Sequence, residues 1–457
     1  MEFGTWTGGE DWSNSDSYSQ YYLANPYLEL IRSGEVGTLE LDQKARNVLR
    51  LIFRTEMNRN RPWGKFVSED HSKAAWEIAT EGIVLLKNNG DILPIDVTKA
   101  KRVAIIGENA IKKMTVGGGS SSLKAQYEIL PLDGLRNYLE PQVEVVYARG
   151  YVGDVSTEFD KVSTGQDLRD DRSPEDLLKE ALAVAKDADY VILIVGLNKS
   201  HEQDSEGTDR QSLELPYGQD KLISELAKVN TNLIVVNISG NAVAMPWVNE
   251  VPAIIQAWFL GSEAGHAIAS VLCGEVNPSG KLPFTFPVKL NDNAAHAIGE
   301  YPGSNGKVEY KESILVGYRW HDTKKIKPLF SFGHGLSYTT FEYGKTKLSG
   351  TSLTRQDQII CTVDVTNTGN RAGYETIQLY ISDLKSSLQR PLKELKAFQK
   401  VLLNPGETKT IKFVVDNSML QFYDDTKSTW VSENGAFEIL LGSSSTDIRT
   451  KAKLNLK

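Results

Sequence analysis

Cysteine is almost missing from this chain: 457 residues contain two, Cys273 and Cys361. So few, so far apart, exclude a disulfide scaffold and supply no metal-ligand spacing. Each is best read as a small buried apolar residue. No apolar run is long enough to span a bilayer. The opening Met1-Glu2-Phe3-Gly4-Thr5-Trp6-Thr7 lacks the basic start and apolar stretch of a secretory signal, so it does not indicate a compartment. Basic excess is absent too. A net charge of -8 argues against a nucleic-acid-binding face and against docking on an anionic membrane, and leaves neutral ligands such as sugars compatible. What is present is ordinary for a soluble globular protein, with 40% hydrophobic and 24% charged residues. The length exceeds one hydrophobic core, so two or three domains are expected.

Three textures follow one another. Residues 1–60 read as helical after an aromatic, Gly- and Ser-rich opening. Pro26 suits the start of one helix, and Leu41, Ala45, Val48, Leu49 and Ile52 share a face of a second over 39–53. No core for that face exists within the segment, and Arg59-Asn60-Arg61-Pro62-Trp63-Gly64 reads as a linker. Residues 61–335 alternate helices with apolar strands at 83–86, 103–107, 143–147, 190–195, 233–237 and 254–258. That alternation predicts a mainly parallel, six-stranded sheet with helices on both faces. Helices are expected at 72–82, at 174–185 behind an N-cap at Ser173, at 219–229 and at 264–272. Residues 336–457 carry short alternating runs punctuated by Asn367-Thr368-Gly369 and Asn404-Pro405-Gly406, the pattern of a β-sandwich.

The loop after the strand at 190–195 draws attention. In an open α/β sheet chemistry collects where strands end, and this loop holds Glu202, Asp204, Glu206 and Asp209. Crowded carboxylates resist joint ionisation, so one of them is expected to keep its proton near neutral pH and to be able to donate it. A solvated acidic surface loop is the plain alternative. Gly117-Gly118-Gly119-Ser120-Ser121-Ser122 lacks both the Lys-Ser/Thr tail of a phosphate-binding loop and the dinucleotide spacing.

Four blocks in order resemble glycoside hydrolase family 3 of the β-glucosidase type. These are Glu206-Gly207-Thr208-Asp209-Arg210, Ala257-Trp258-Phe259-Leu260-Gly261-Ser262-Glu263-Ala264-Gly265 running on to Pro287, Val316-Gly317-Tyr318-Arg319 with Phe330 to Tyr338, and Val365-Thr366-Asn367-Thr368-Gly369 with Arg371-Ala372-Gly373. The resemblance implies a (β/α)8 barrel bearing an aspartate nucleophile in a Ser-Asp-Trp context, an α/β sandwich domain bearing the acid/base glutamate, and a fibronectin type III-like domain. No Ser-Asp-Trp occurs in this sequence, and Asp11-Trp12 follows Glu10. Residues 1–60 are therefore expected to be the last helices of a truncated barrel plus linker, and the chain to hold half of a two-carboxylate site and be inactive alone.

By that resemblance Glu206 is the general acid/base, with Glu202 and Asp204 as rivals. Asp209 and Arg210 are expected to pair and fix the loop base. Gly118, Ser120, His201 and Arg210 are candidate sugar contacts. Trp258 and Phe259 read as core, Trp6 and Trp12 as residues near the site mouth, and the Val316-Gly317-Tyr318-Arg319 block as packing between the second and third domains. The implied ligand is a β-linked oligosaccharide or glycoside, and the implied partner is the barrel or a chain carrying it. Two carboxylates suffice for the chemistry, so no metal or organic cofactor is implied. A secreted or periplasmic parent enzyme is the family expectation. A non-catalytic carbohydrate-binding or partner-docking module is the competing reading.

Overall fold

The centre of the molecule is a six-stranded sheet whose strands run in the order β1-β8-β7-β6-β2-β3. They are β1 (Val84–Asn88), β2 (Arg102–Ile106), β3 (Glu144–Ala148), β6 (Tyr190–Gly196), β7 (Leu233–Ile238) and β8 (Ala253–Gln256). A two-stranded hairpin, β4 (Glu158–Phe159) and β5 (Val162–Ser163), lies off this sheet. This is a computed structural model, and it describes residues 21–457 apart from Asp160, His201 and Glu300. Trp6, Trp12 and the candidate His201 thus lie outside the described residues. The chain divides into two units, Met1–Phe66 and Val67–Lys457.

In the first unit, α1 (Asn25–Ser33) begins with Pro26 in its first turn, and α2 (Leu39–Thr55) follows. Neither helix has a buried residue. The shared apolar face of α2 stands open, with Leu41, Val48, Leu49 and Ile52 all at least 41% exposed.

The second unit starts with α3 (Glu69–Gly82), capped by the Ser68 side chain. Its helices α4 (Pro131–Leu139), α5 (Pro174–Lys186) and α6 (Gln219–Val229) connect the strands, and α7 (Ala264–Leu272) follows the last of them. Ser173 caps α5 by accepting from the Asp176 N–H. Five strands are parallel, and β1 alone runs antiparallel, against β8. Strands buried on both sides must be apolar throughout, which explains why Ile192, Leu193, Ile194 and Val195 are all inaccessible. Two cores flank the sheet: one contains Leu135, Ile105 and Ile268, the other Leu222, Trp247 and Phe286. At the sheet rim, the Leu336 N–H donates to the Leu85 carbonyl at 2.8 Å.

Beyond residue 340 the chain forms a β-sandwich. One sheet is built on Gln358–Asn367 and Thr408–Asp416, the other on Gly373–Asp383, Glu394–Leu403, Gly435–Gly442 and Ile448–Leu456. Alternating inward residues such as Cys361, Val363, Val365, Ile377 and Leu379 make its core. Both cysteines are free thiols, Cys361 buried and Cys273 half-buried. The seam between sandwich and α/β layer holds the Val316-Gly317-Tyr318-Arg319 block. Tyr318 stacks on Phe332 at 4.9 Å, its hydroxyl accepts from the Leu395 N–H at 2.9 Å, and Arg319 pairs with Glu394 at 3.3 Å. Among the described residues no helix is long and apolar enough to cross a membrane.

Candidate active site

Because β2, β6, β7 and β8 are parallel, the segments that follow them converge on one edge of the sheet. The loop after β6 carries the carboxylates, and its base is braced from within. Asn198 N–H donates to Gln203 Oε1 at 3.0 Å, and Gln203 Nε2 donates to the Tyr217 hydroxyl at 2.6 Å. The loop after β7 is held by a buried amide network, in which Asn237 Nδ2 donates to Gln256 Oε1 at 2.6 Å and Gln256 Nε2 to the Ser239 carbonyl at 2.8 Å.

Asp204, Asp209 and Glu206 each have a different carboxylate partner. Asp204 accepts from the Gly240 N–H at 2.6 Å and from Asn241 Nδ2 at 2.9 Å, joining the β6 and β7 loops. Asp209 accepts from the Tyr301 hydroxyl. Glu202 is exposed, with φ of 59°, and its N–H donates to Thr208 Oγ1 at 3.0 Å. Glu206 is exposed at the loop tip, where Oε2 accepts from the Ser120 N–H at 2.8 Å and its own N–H reaches the Gly118 carbonyl at 3.4 Å.

Two expectations are corrected here. Asp209 and Arg210 do not pair: Asp209 turns to Tyr301, while Arg210 Nη2 donates to the Ala242 carbonyl at 2.7 Å and Nη1 is buried without a hydrogen bond. The expectation that one crowded carboxyl of the loop keeps its proton is not met at Glu206. The Ser120 hydroxyl, and after it the Ser120 N–H, hold the Glu206 carboxyl below its ordinary range, because both favour the charged form. Asp204, Glu206 and Asp209 face separate donors.

The Gly/Ser segment is in direct contact with this loop. Gly117, Gly118 and Gly119 all have positive φ, at 103°, 87° and 79°. A Cβ on Gly119 would stand 2.6 Å from Glu206 Cβ, and one on Gly118 would stand 2.6 Å from Lys199 Cε. Only glycine allows both the backbone angle and the approach. Burial pulls the Lys199 ammonium below its usual range, while Glu128 opposes the shift.

Beside the loop lies an open hollow lined by Lys199, Asp204, Arg210, Asn241, Phe259 and Tyr301, among others. Phe259, read from sequence as core, is half-buried and borders this hollow. Trp258 does pack inward, donating Nε1–H to the Gly82 carbonyl at 2.8 Å and meeting Phe284 edge-on. Sequence reading missed Lys199, Asn241 and Tyr301. Only Lys199 carried a signal, as a cation among the carboxylates of an acidic loop. Among the described residues no cluster of three or more His, Cys, Asp or Glu side chains is arranged to hold a metal ion.

The fold and this edge define a two-domain α/β plus β-sandwich protein whose acidic loop sits at the carboxyl ends of parallel strands. Residues 83–338 match the glycosyl hydrolase family 3 C-terminal domain, and residues 375–445 match the fibronectin type III-like domain. The chain belongs to glycosyl hydrolase family 3. It is 49% identical over 456 residues to a beta-glucosidase of Bacteroides ovatus, covering 98% of this chain and 60% of that protein. Thermostable beta-glucosidase B of Acetivibrio thermocellus is 38% identical, over 94% of this chain and 54% of its own length. The chain thus spans little more than half the length of these relatives. Among solved structures, the Bifidobacterium adolescentis family 3 beta-glucosidase superimposes with a TM-score of 0.83 at 32% identity, covering 96% of this chain and 60% of that one. The Kluyveromyces marxianus beta-glucosidase, solved in complex with glucose, gives 0.82 at 26% identity, over 98% of this chain and 70% of that one.

Proposed function

We propose that this chain is the acid/base-bearing portion of a retaining, exo-acting β-glucosidase that removes β-linked sugars from non-reducing ends. The observation that carries the reading is the position of Glu206. It stands exposed at the carboxyl edge of a parallel sheet, inside the Glu-Gly-x-Asp-Arg pattern, in a chain 49% identical to a beta-glucosidase.

Retaining hydrolysis uses two carboxyl groups about 5–5.5 Å apart. Glu206 is the first: as an acid it gives its proton to the glycosidic oxygen while the aglycone departs. As a carboxylate it then takes a proton from the water that attacks the glycosyl-enzyme intermediate. The second carboxyl is an aspartate of a (β/α)8 barrel, and the sequence has no Ser-Asp-Trp to supply it. On this reading α1 and α2 are the barrel's closing helices, and their uncovered apolar stripe faces the rest of that barrel. Arg210 and His201 are the sugar contacts offered from this side, and Gly118 and Ser120 border the acid. A secreted or periplasmic setting is part of the proposal.

The test removes the acid. In a polypeptide that joins this chain to a Ser-Asp-Trp barrel, Glu206→Ala should slow turnover of an aryl β-glucoside by about 10²–10⁴-fold. Azide, a small anion needing no general base, should restore turnover and yield a β-glucosyl azide. The 457-residue chain alone should be inactive. Unchanged turnover in the variant, or turnover by the chain alone, would overturn the reading.

A further inference from the structure

The Glu206 carboxylate already has a partner, and that partner lies in sequence far from its own loop. Ser120 N–H meets Oε2 at 2.8 Å, and the Glu206 N–H meets the Gly118 carbonyl at 3.4 Å, so side chain and backbone are both held by one short segment. That segment is itself fixed. Gly118 N–H donates to the Lys199 carbonyl at 2.8 Å, Gly117 N–H to Ser122 Oγ at 3.0 Å, and Ser121 Oγ to the Gly118 carbonyl at 3.2 Å. Gly119 presents a bare α-carbon to the Glu206 side chain, with room for nothing larger.

We propose that the Gly117–Ser122 segment is a seat for the acid-bearing side chain: Ser120 and Gly119 are positioning residues that dock Glu206 between turnovers, and proton donation requires Glu206 to leave them. This rests on the acid/base reading of Glu206 and gives Ser120 a role other than holding sugar. A donor N–H aimed at a carboxylate favours its charged form. Seated, Glu206 therefore stays a carboxylate and has no proton to give. When the side chain swings from Ser120 toward a bound glycoside, it loses that donor, its affinity for a proton rises, and it takes one from solvent that it can then donate to the glycosidic oxygen. The other charged groups around it are Lys199 on the far side of Gly118 and the loop's own Glu202, Asp204 and Asp209. Ser120, rather than any of these, sets the direction of its shift.

The seat can be read without any catalysis. In the 457-residue chain labelled with ¹³C at glutamate carboxyls, the Glu206 resonance, assigned by its loss in Glu206→Gln, should titrate below the ordinary glutamate midpoint of about 4.3. Ser120→Pro, which removes hydroxyl and N–H together, should return the midpoint to that value. Ser120→Ala, which keeps the N–H, should move it part of the way. Gly119→Ala, which pushes Glu206 off, should act as Ser120→Pro does. Glu206→Ala, a change at an exposed tip that leaves the fold intact, should speed amide exchange at Ser120 at least threefold. An unmoved midpoint in folded Ser120→Pro or Gly119→Ala, or unchanged Ser120 exchange in Glu206→Ala, would overturn the seat. Undiminished turnover by Glu206→Ala in the barrel-bearing polypeptide would instead sink the acid assignment and leave the seat standing.

Discussion

The Asp204 carboxylate and the Gly240 backbone are joined across two loops, the Gly240 N–H donating to Oδ2 at 2.6 Å while Asn241 Nδ2 reaches Oδ1 at 2.9 Å. This clamp ties the acid-bearing loop to the end of β7. Hydrogen bonds to a charged acceptor contribute about 1.5–3 kcal/mol. Asp204→Ala should therefore make amide exchange over residues 205–210 at least tenfold faster, while exchange in β6 stays unchanged. Equal exchange in the two proteins would show that the loop is held by something else.

A second prediction concerns Glu108, which is wholly buried just after β2. Oε2 accepts from Arg149 Nη2 and from the Gly153 N–H, both at 2.7 Å, and Lys112 Nζ lies 3.7 Å from Oε1. Removing one partner of a buried charge cluster leaves the others uncompensated, at a cost of about 3–5 kcal/mol. Glu108→Ala should lose that much in urea unfolding. Glu108→Gln, which keeps an acceptor for the Gly153 N–H, should lose less.

Stability should also respond to His334. Its Nε2–H donates to the Leu86 carbonyl at 2.9 Å and its ring stacks on Phe330 at 5.3 Å. Burial pulls the imidazole below its ordinary value; Lys281 pulls the same way, while the Leu86 carbonyl and Asp447 oppose. The folded protein then binds fewer protons here than the unfolded chain does below about pH 6.5. The contribution is present above that pH and is lost as pH falls through it toward the lowered folded value. Thermal unfolding at pH 7, 6 and 5 should show a smaller decline in His334→Gln than in the parent. Parallel curves would remove His334 from the acid response.

The fourth prediction is steric. α4 and α7 cross where a Cβ on Gly134 would fall 2.1 Å from the Gly265 carbonyl carbon. Backbone cannot yield there as a flexible side chain would. Gly134→Ala should destabilise by about 1–3 kcal/mol in urea unfolding, the usual cost of overpacking, although alanine is the better helix former. A more stable variant would mean that the helices separate freely.

Much of this architecture was legible because burial on both faces forces strands to be apolar, and because helices announce their ends. α6 and α7 begin and end where periodicity puts them, and Ser173 and Pro174 start α5 as their chemistry requires. The strand expected at 254–258 stops at Gln256, since Trp258 takes a positive φ of 50° to turn its ring under Gly82. The antiparallel direction of β1 had no signal in its own residues. The Glu108 cluster was hard to see because, apart from Lys112 four residues on, its partner Arg149 and the Asp170 that pairs with Arg149 come from distant segments. For the same reason the acid loop was half-read. Its carboxylates were plain, but the N–H groups that separate them belong to Ser120 and Gly240, and no local pattern links those to positions 204–206.

The Leu336 amide that meets the Leu85 carbonyl also has a protective consequence. β1 is an outermost strand, and unpaired backbone along such a strand is a template for another molecule's strand. The passage into the sandwich crosses that border and engages the Leu85 carbonyl through the Leu336 amide and the Leu86 carbonyl through the His334 ring. Proteolytic removal of everything past residue 335 would free the Leu85 carbonyl, and the remaining sheet would gain a place for intermolecular stacking that the whole chain denies it.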